Sequence, residues 1–422
     1  MSKSKISLIR SLGIYTVSNV INSAIPFLLL PLLTGYLTTE DYGVLTNFNS
    51  LVAILLPVLS MNLMTSLQVV YVKNHSSTGA FISTGMFAML GLTGVFTVSL
   101  FIFREYIAQK TGVPVSFVVF AGVYALYQNV VEVLLSVWRM EDKATAFGIF
   151  RILRTVLELF IAIVLIICFN RSFDGSIHAM SFSYGIGAVV ALWILFRHKY
   201  FYFTFEWRHF HYLLTYGAPL IPHVLASVFI MYTDKLVITH YLGLSSNGVY
   251  SVGFMVGQVI GLLQNSFNQA WVPYVFNGLK ESNESLKLKI VKWTYIYFVG
   301  ILLIALLFYL FTPVIFLFLG KAFHEGISVV LWISLGFAFN GMYKMVSVYF
   351  FYLDKTLAIA IISVLTAIIN IAFVIWLVPR YAFQGAAFGT MLAFFIQFIG
   401  TWIWSTRIIN MPWGNWKALW KK

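Results

Sequence analysis

From residue 11 to residue 406 the chain is a succession of apolar runs, each roughly 20 to 28 residues long and separated by short polar breaks. A helix crosses a hydrocarbon core with about 20 such residues. The runs fall near 11–33, 43–71, 79–103, 114–138, 146–169 and 176–196, then near 213–241, 246–274, 289–311, 327–350, 356–377 and 384–406. Twelve membrane-spanning helices are therefore expected, in an all-α polytopic membrane protein. Composition removes the soluble alternative: 60% of the 422 residues are apolar and 10% charged, where a soluble domain carries about 25% charged residues. A secreted enzyme, a soluble nucleotide-binding protein and a receptor with a large ectodomain are excluded. The basic start, Met1 to Arg10, runs straight into apolar sequence without an A-x-A-like cleavage site, and reads as a retained first span.

The net charge is +13, from 27 Lys+Arg against 14 Asp+Glu. In a soluble protein that excess would point to nucleic acid. In a polytopic protein it has a different origin, the enrichment of cytoplasmic loops in Lys and Arg. With the N-terminus inside, Arg104, Lys110, Arg171, Lys321 and Arg380 fall outside, Lys235 and Lys344 fall within spans, and all other basic residues lie at the inner face. An even span count then places both termini in the cytoplasm. The single cysteine, Cys168, permits neither an intramolecular disulfide nor a cysteine-rich metal site.

Residues 198–212 form the longest connection and read as a cytoplasmic hinge between two six-span halves, 1–197 and 213–408, followed by a basic tail, 409–422. The halves echo each other. Tyr36-Leu37 precedes Gly43-Val44 by the same distance as Tyr241-Leu242 precedes Gly248-Val249, and Phe173-x-Gly175 matches Phe383-x-Gly385. Six spans per half make the repeats parallel, as in transporters whose bundles rock about a central cavity.

Charged side chains inside spans are costly and belong on interior or wet faces. Arg151, Arg154 and Glu158 are spaced i, i+3, i+7, which puts them on one helical face with Arg154 and Glu158 in pairing range. The competing reading is that both arginines snorkel to inner headgroups. Glu132 is a further intramembrane acid. Asn340 and Lys344 lie one turn apart, and Gln258, Asn265 and Gln269 form a polar stripe, which interhelical hydrogen bonding alone would also explain. Pro219 and Pro222 at the start of the seventh span free backbone carbonyls and permit bending. Asp234 and Lys235 are adjacent, hence about 100° apart around a helix and poorly placed to neutralise each other. Each is expected to find a partner on another helix, or water. His178 and His223 read as packing residues. No Walker loop, G-x-S-x-G or H-E-x-x-H pattern is present, so no enzyme and no metal site is expected.

Tyr216-Gly217-x-Pro219-x-x-Pro222, then Asp234, Tyr241-Leu242-Gly243 and Gly248-x-Tyr250, resembles the second-half opening of Wzx-type flippases. Asp41-Tyr42-Gly43, Phe318-Leu319-Gly320-Lys321 and Pro379-x-Tyr381 leading into Gly385-Ala386-Ala387 extend the resemblance over nearly the whole chain. It implies a member of the multidrug/oligosaccharidyl-lipid/polysaccharide exporter superfamily: two six-helix bundles in a MATE-like V around a central cavity, working by alternating access. The implied substrate is undecaprenyl-diphosphate carrying an oligosaccharide repeat unit, in a cationic cavity of the bacterial inner membrane. On that basis Arg10, Arg151, Arg154 and Lys344 would load the diphosphate from the inner leaflet, and Lys235 would receive it nearer the outer side. Gln258, Asn265, Gln269 and Asn340 would line the glycan's path. Asp234, Glu132 or Glu158 would carry a coupling proton or sodium ion, or balance neighbouring cations. Membrane lipids and a polysaccharide polymerase are the further partners, with no organic cofactor and no nucleic acid. A drug exporter of the same superfamily, a membrane-embedded assembly enzyme and a structural scaffold are the rival readings. A drug exporter favours an anionic cavity, an enzyme a large outer loop, and a scaffold would leave the buried charges unexplained.

Overall fold

The computed structural model describes residues 27, 29–73, 77–280, 284–353 and 355–414, with Lys73 and Thr356 by backbone alone, and all described elements are helical. Eight runs among them are long and apolar enough to cross a membrane. They do not map one to one onto the expected spans. The run Trp207–Lys280 has 74 residues, about 110 Å of helix at 1.5 Å per residue and far more than one crossing needs. The run Leu357–Ile408 is likewise double length, at 52 residues. Of the expected first span, 11–33, only 27 and 29–33 are among the described residues, and Arg10 lies outside them.

The first unit, Met1–Val228, packs around its own core. Its helices are α1 (Thr39–Ser60), α2 (Leu63–Lys73), α3 (Thr78–Ile102), α4 (Arg104–Thr111), α5 (Val115–Met140), α6 (Ala144–Ile163), α7 (Phe173–Arg197) and the short α8 (Trp207–Tyr212). Helix α1 starts where the sequence caps it. The Thr38 hydroxyl accepts from the Asp41 amide at 3.1 Å while the Asp41 carboxylate accepts from the Thr38 amide at 3.2 Å, a reciprocal capping box that satisfies two orphan donors. The Asp41-Tyr42-Gly43 motif therefore opens a helix. The span expected over 43–71 is divided by Met61 and Asn62, both left-handed at φ 47° and 52°. That break is held from a distance: Asn62 Nδ2 donates to the Gly217 carbonyl at 3.4 Å, and a Cβ on Gly217 would lie 2.3 Å from the Met61 oxygen. Only glycine lets the two backbones approach this closely. Helix α6 runs into a π turn, Val164–Cys168, that ends the fifth expected span. Its charges, Arg151, Arg154 and Glu158, distinguish it from the eight apolar runs.

Residues 198–212 are tied to the first unit. The Tyr202 and Glu206 amides donate to Ser83 Oγ and Thr84 Oγ1 on α3, at 2.8 and 3.0 Å. Tyr200, on the same strap, donates its hydroxyl to Glu141, which also holds Lys143 at 2.8 Å. Tyr200, Phe201, Phe210 and Tyr212 pack against the core of this unit. After α8 the chain takes a π turn, Leu213–Gly217, and a 3-10 turn, Ala218–Leu220, so the prolines act where helix begins.

The second unit, Phe229–Lys422, has a separate core built on Tyr250, Phe298, Ile333 and Phe398. Helix α9 (Ile221–Gly257) enters it and is followed by α10 (Val259–Lys280), α11 (Glu284–Phe316), α12 (Ile327–Tyr352) and α13 (Thr356–Ile408). The division between the two units falls within α9, after Val228. Helix α9 is interrupted at Gly243, where φ is 85° and ψ 172°. A left-handed turn of this kind favours glycine, and one residue replaces the loop expected between the seventh and eighth spans. Tyr381 and Ala382 do the same for α13.

Candidate functional site

In the first unit, α6 presents its charges as the i, i+3, i+7 spacing required. Arg154 Nη1 meets Glu158 Oε2 at 2.7 Å, with the two side chains 8% and 18% exposed. The guanidinium does not snorkel outward. It lies 4.0 Å from the centre of the Tyr184 ring on α7 and donates from Nη2 to Thr155 Oγ1 at 3.0 Å. Its stem passes over Gly187, and Ser183 Oγ donates to the Arg154 carbonyl at 2.7 Å. Tyr184 is set edge-on to Tyr124, which stacks on Phe48. One arginine thus has a carboxylate on one side and an aromatic face on the other. Arg151 sits one turn earlier over the Phe147 ring at 5.8 Å, within the electrostatic reach of Glu132 on α5. Tyr184 and Tyr124 carry this cluster as much as the charges do, and the sequence reading missed both. An aromatic is too common in these spans to be singled out without its contact.

In the second unit the adjacent Asp234 and Lys235 correct the expectation of separation. Asp234 is fully buried and Lys235 is 5% exposed. Asp234 Oδ1 accepts from the Lys235 backbone amide at 2.8 Å and lies 3.4 Å from its ammonium. The helical offset holds for the Cβ directions, but the carboxylate folds back along its own backbone and the flexible lysine stem closes the gap. The ammonium also donates to the Met231 carbonyl at 2.6 Å and rests 3.8 Å over the Phe254 ring. The interhelical partner expected for Asp234 is present as well: the Tyr250 hydroxyl, beyond the Gly243 break, donates to its other oxygen. Tyr250 is also hydrogen-bonded to Thr390, which accepts from Asn370 Nδ2 at 3.1 Å. A buried polar chain therefore joins both limbs of α9 to both limbs of α13. Gly248-x-Tyr250 is the half of this arrangement that a motif alone could have indicated.

A second polar group of this unit lies between α10 and α12. Lys344 Nζ donates to Asn265 Oδ1 at 2.5 Å, and Gln264 Nε2 to Asn340 Oδ1 at 3.2 Å. The expected stripe of Gln258, Asn265 and Gln269 is not one cluster. Asn265 and Gln269 are exposed a turn apart on α10, whereas Gln258 is half-buried at the α9–α10 junction. Gln264, which the sequence reading passed over, is the buried amide that reaches Asn340. His178 is flanked by Phe117 and Phe182, and His223 packs with a buried Nδ1. Among the described residues no His, Cys, Asp and Glu group could hold a metal ion.

Residues 8–278 match the family described as polysaccharide biosynthesis protein. The chain belongs to that family. Two proteins of Haemophilus influenzae are similar along most of their length. One, described as "Lsg locus putative protein 1", is 25% identical over 85% of this chain and 88% of its own; the other, an "uncharacterized membrane protein", is 24% identical over 86% and 88%. Among solved structures, an inward-facing multidrug resistance MATE family transporter of the MOP superfamily superposes with a TM-score of 0.72 at 15% identity, over 91% of this chain and 94% of that one. The lipid II flippase MurJ in an inward closed conformation gives 0.71 at 16% identity, over 93% and 87%. At that identity the likeness establishes the fold. This polysaccharide biosynthesis protein is a multi-pass membrane protein with the fold of those transporters, and the Wzx resemblance and the family agree.

Proposed function

We propose that the protein is a flippase for undecaprenyl-diphosphate-linked oligosaccharide repeat units, of O-antigen, capsule or another surface polysaccharide. It would move them from the cytoplasmic to the outer leaflet of the bacterial inner membrane by alternating access of its halves, 1–197 and 213–408, about a central cavity. The reading has twelve spans with both termini cytoplasmic, and eight runs among the described residues are long and apolar enough to cross a membrane. Two of these divide in two, α6 adds an eleventh, and the expected span at 11–33 completes the set.

The observation that carries the reading is the desolvated Arg154, beside Arg151, in a member of the polysaccharide biosynthesis family. Guanidinium binds phosphate through paired charge-assisted hydrogen bonds. An arriving diphosphate can replace Glu158 as the partner of Arg154, while Tyr184 keeps the guanidinium in place. Arg10 and Lys344 are the further cations proposed to load the diphosphate, with Glu132 balancing charge beside Arg151. The glycan path runs by Gln258, Asn265, Gln269 and Asn340. Lys235 is already engaged by Met231 and Asp234, which favours a place in ion coupling over one on the diphosphate path. Asp234 is the site for a coupling proton or sodium ion, supported by its burial and by the partnerless Asn370 Oδ1 at the other end of the polar chain. A polysaccharide polymerase would consume the product outside.

The test is conditional depletion in the native host, followed by glycosidase treatment of intact spheroplasts. Complete lipid-linked units should accumulate in a shielded pool. Units exposed outside but unpolymerised would assign an assembly enzyme instead, and unchanged glycan would assign a drug exporter.

A further inference from the structure

The exposed surfaces of α10 and α11 differ in kind. On α11 the exposed residues of the apolar run include Leu303, Leu306, Leu307, Leu310, Phe311 and Val314, a surface suited to hydrocarbon. On α10 the exposed arc carries Asn265, Ser266, Gln269 and Asn277 among the apolar Leu263, Ala270 and Pro273, with the Lys344 ammonium of α12 at its edge. Lipid cannot satisfy those amides or that charge. The arc therefore faces water or a polar ligand.

Its other edge is aromatic. Phe267 and Tyr274 are two turns apart and thus in line along the helix, exposed by 40% and 41%. Phe267 stacks on Trp271 and lies 4.6 Å from the Tyr297 ring, and Trp271 continues to Tyr274 at 5.6 Å. The ladder is braced from behind, because Trp271 Nε1 donates to the Met345 carbonyl at 3.2 Å. Two exposed rings are held at a fixed spacing along one edge of the exposed arc, about 140–180° around the helix from Asn265 and Gln269 at the other. An oligosaccharide lying across the arc offers both surfaces: apolar C–H faces of its pyranose rings to pack on the aromatic edge and hydroxyls to exchange hydrogen bonds with the amides of the other edge. A diphosphate would use the charge but not the rings. An apolar cation would use the rings but meet the Lys344 ammonium.

We infer that Phe267 and Tyr274 form the sugar-stacking edge of a glycan subsite on α10, with Asn265 and Gln269 reading hydroxyls and Lys344 accepting an anionic group of the carrier or the sugar. The inference rests on the flippase reading and names the part of the substrate that this face recognises. It is tested with the full-length protein in nanodiscs and two probes, bare undecaprenyl diphosphate and the lipid-linked repeat unit extracted from the host.

Phe267→Leu and Tyr274→Leu should each weaken binding of the glycosylated carrier by about tenfold or more, leaving the bare carrier within about twofold, and Tyr274→Phe should restore wild-type binding. Equal losses for both probes would assign the rings a packing role and overturn the inference. So would leucine variants that bind both probes normally. A wild-type protein that binds both carriers equally overturns the subsite while the diphosphate reading stands. One that binds neither overturns the flippase reading and the subsite with it.

Discussion

Removing either partner of the Arg154–Glu158 pair should destabilise the first unit, and by unequal amounts. Breaking a buried ion pair from one side typically costs about 3–5 kcal/mol, because the remaining charge is uncompensated. The two partners here are not equally supported. Arg154 without Glu158 still has the Tyr184 face at 4.0 Å and the Thr155 hydroxyl, and a desolvated cation–π contact contributes about 2 kcal/mol. Glu158→Ala should therefore cost about 1–3 kcal/mol. Arg154→Met removes the group that forms Glu158's ion pair and leaves its largely buried carboxylate without that cation, for about 3–5 kcal/mol. The double variant replaces the pair with apolar groups and should lie near the wild type, so the single losses do not add. Reversible unfolding in mixed dodecylmaltoside and SDS micelles gives all four corners of the cycle. A coupling energy under about 0.5 kcal/mol, or a larger loss for Glu158→Ala than for Arg154→Met, would refute the argument.

Gly217→Ala places a methyl 2.3 Å from the Met61 oxygen, whereas Gly300→Ala on α11 meets open space. In thermal unfolding the first should destabilise by about 1–3 kcal/mol and the second should stabilise by up to about 1 kcal/mol; equal signs would contradict the close approach. The strap at 198–212 should release at alkaline pH. Burial first, and then the hydrogen bond to Glu141, raise the Tyr200 hydroxyl, and the Glu141 hydrogen bond is the largest cause raising the Lys143 ammonium. Both groups are protonated in the bound strap, so their contribution is complete below their ordinary values near about 10 and is lost as pH rises through the raised ones. A spin label at residue 204, in a Cys168→Ser background, should stay immobile to about pH 9 and loosen above about pH 10. Mobility unchanged to about pH 12 would remove the anchor from the account.

The membrane architecture was legible because hydrocarbon imposes one requirement on every residue of a span, and hydropathy reads it directly. The α6 charges were legible for a related reason: residues three, four and seven apart share a helical face whatever surrounds them. The capping box of Thr38 and Asp41 is equally local, and Asp41 is also the first residue of the Asp41-Tyr42-Gly43 motif.

Other features depend on groups that the chain brings together from far apart. Ser83 holds the backbone of Tyr202, Gly217 lies against Met61, and Tyr184 backs Arg154. A tyrosine or serine in an apolar span looks the same in sequence whether it holds a charge or merely fills space. The connection 198–212 reads as a hinge between halves by its length, and only the tertiary structure shows that its amides find acceptors on α3. Asp234 and Lys235 show the limit from the other side. Helical geometry determined where their Cβ atoms point, but only packing against Phe254, Tyr250 and the Met231 carbonyl decided that the two charges meet. Local periodicity is a property of the chain, and it identified the apolar runs and the charged face. Partnership in a low-dielectric interior is a property of the assembled helices, where each buried polar group must be satisfied by whichever neighbour the tertiary fold supplies.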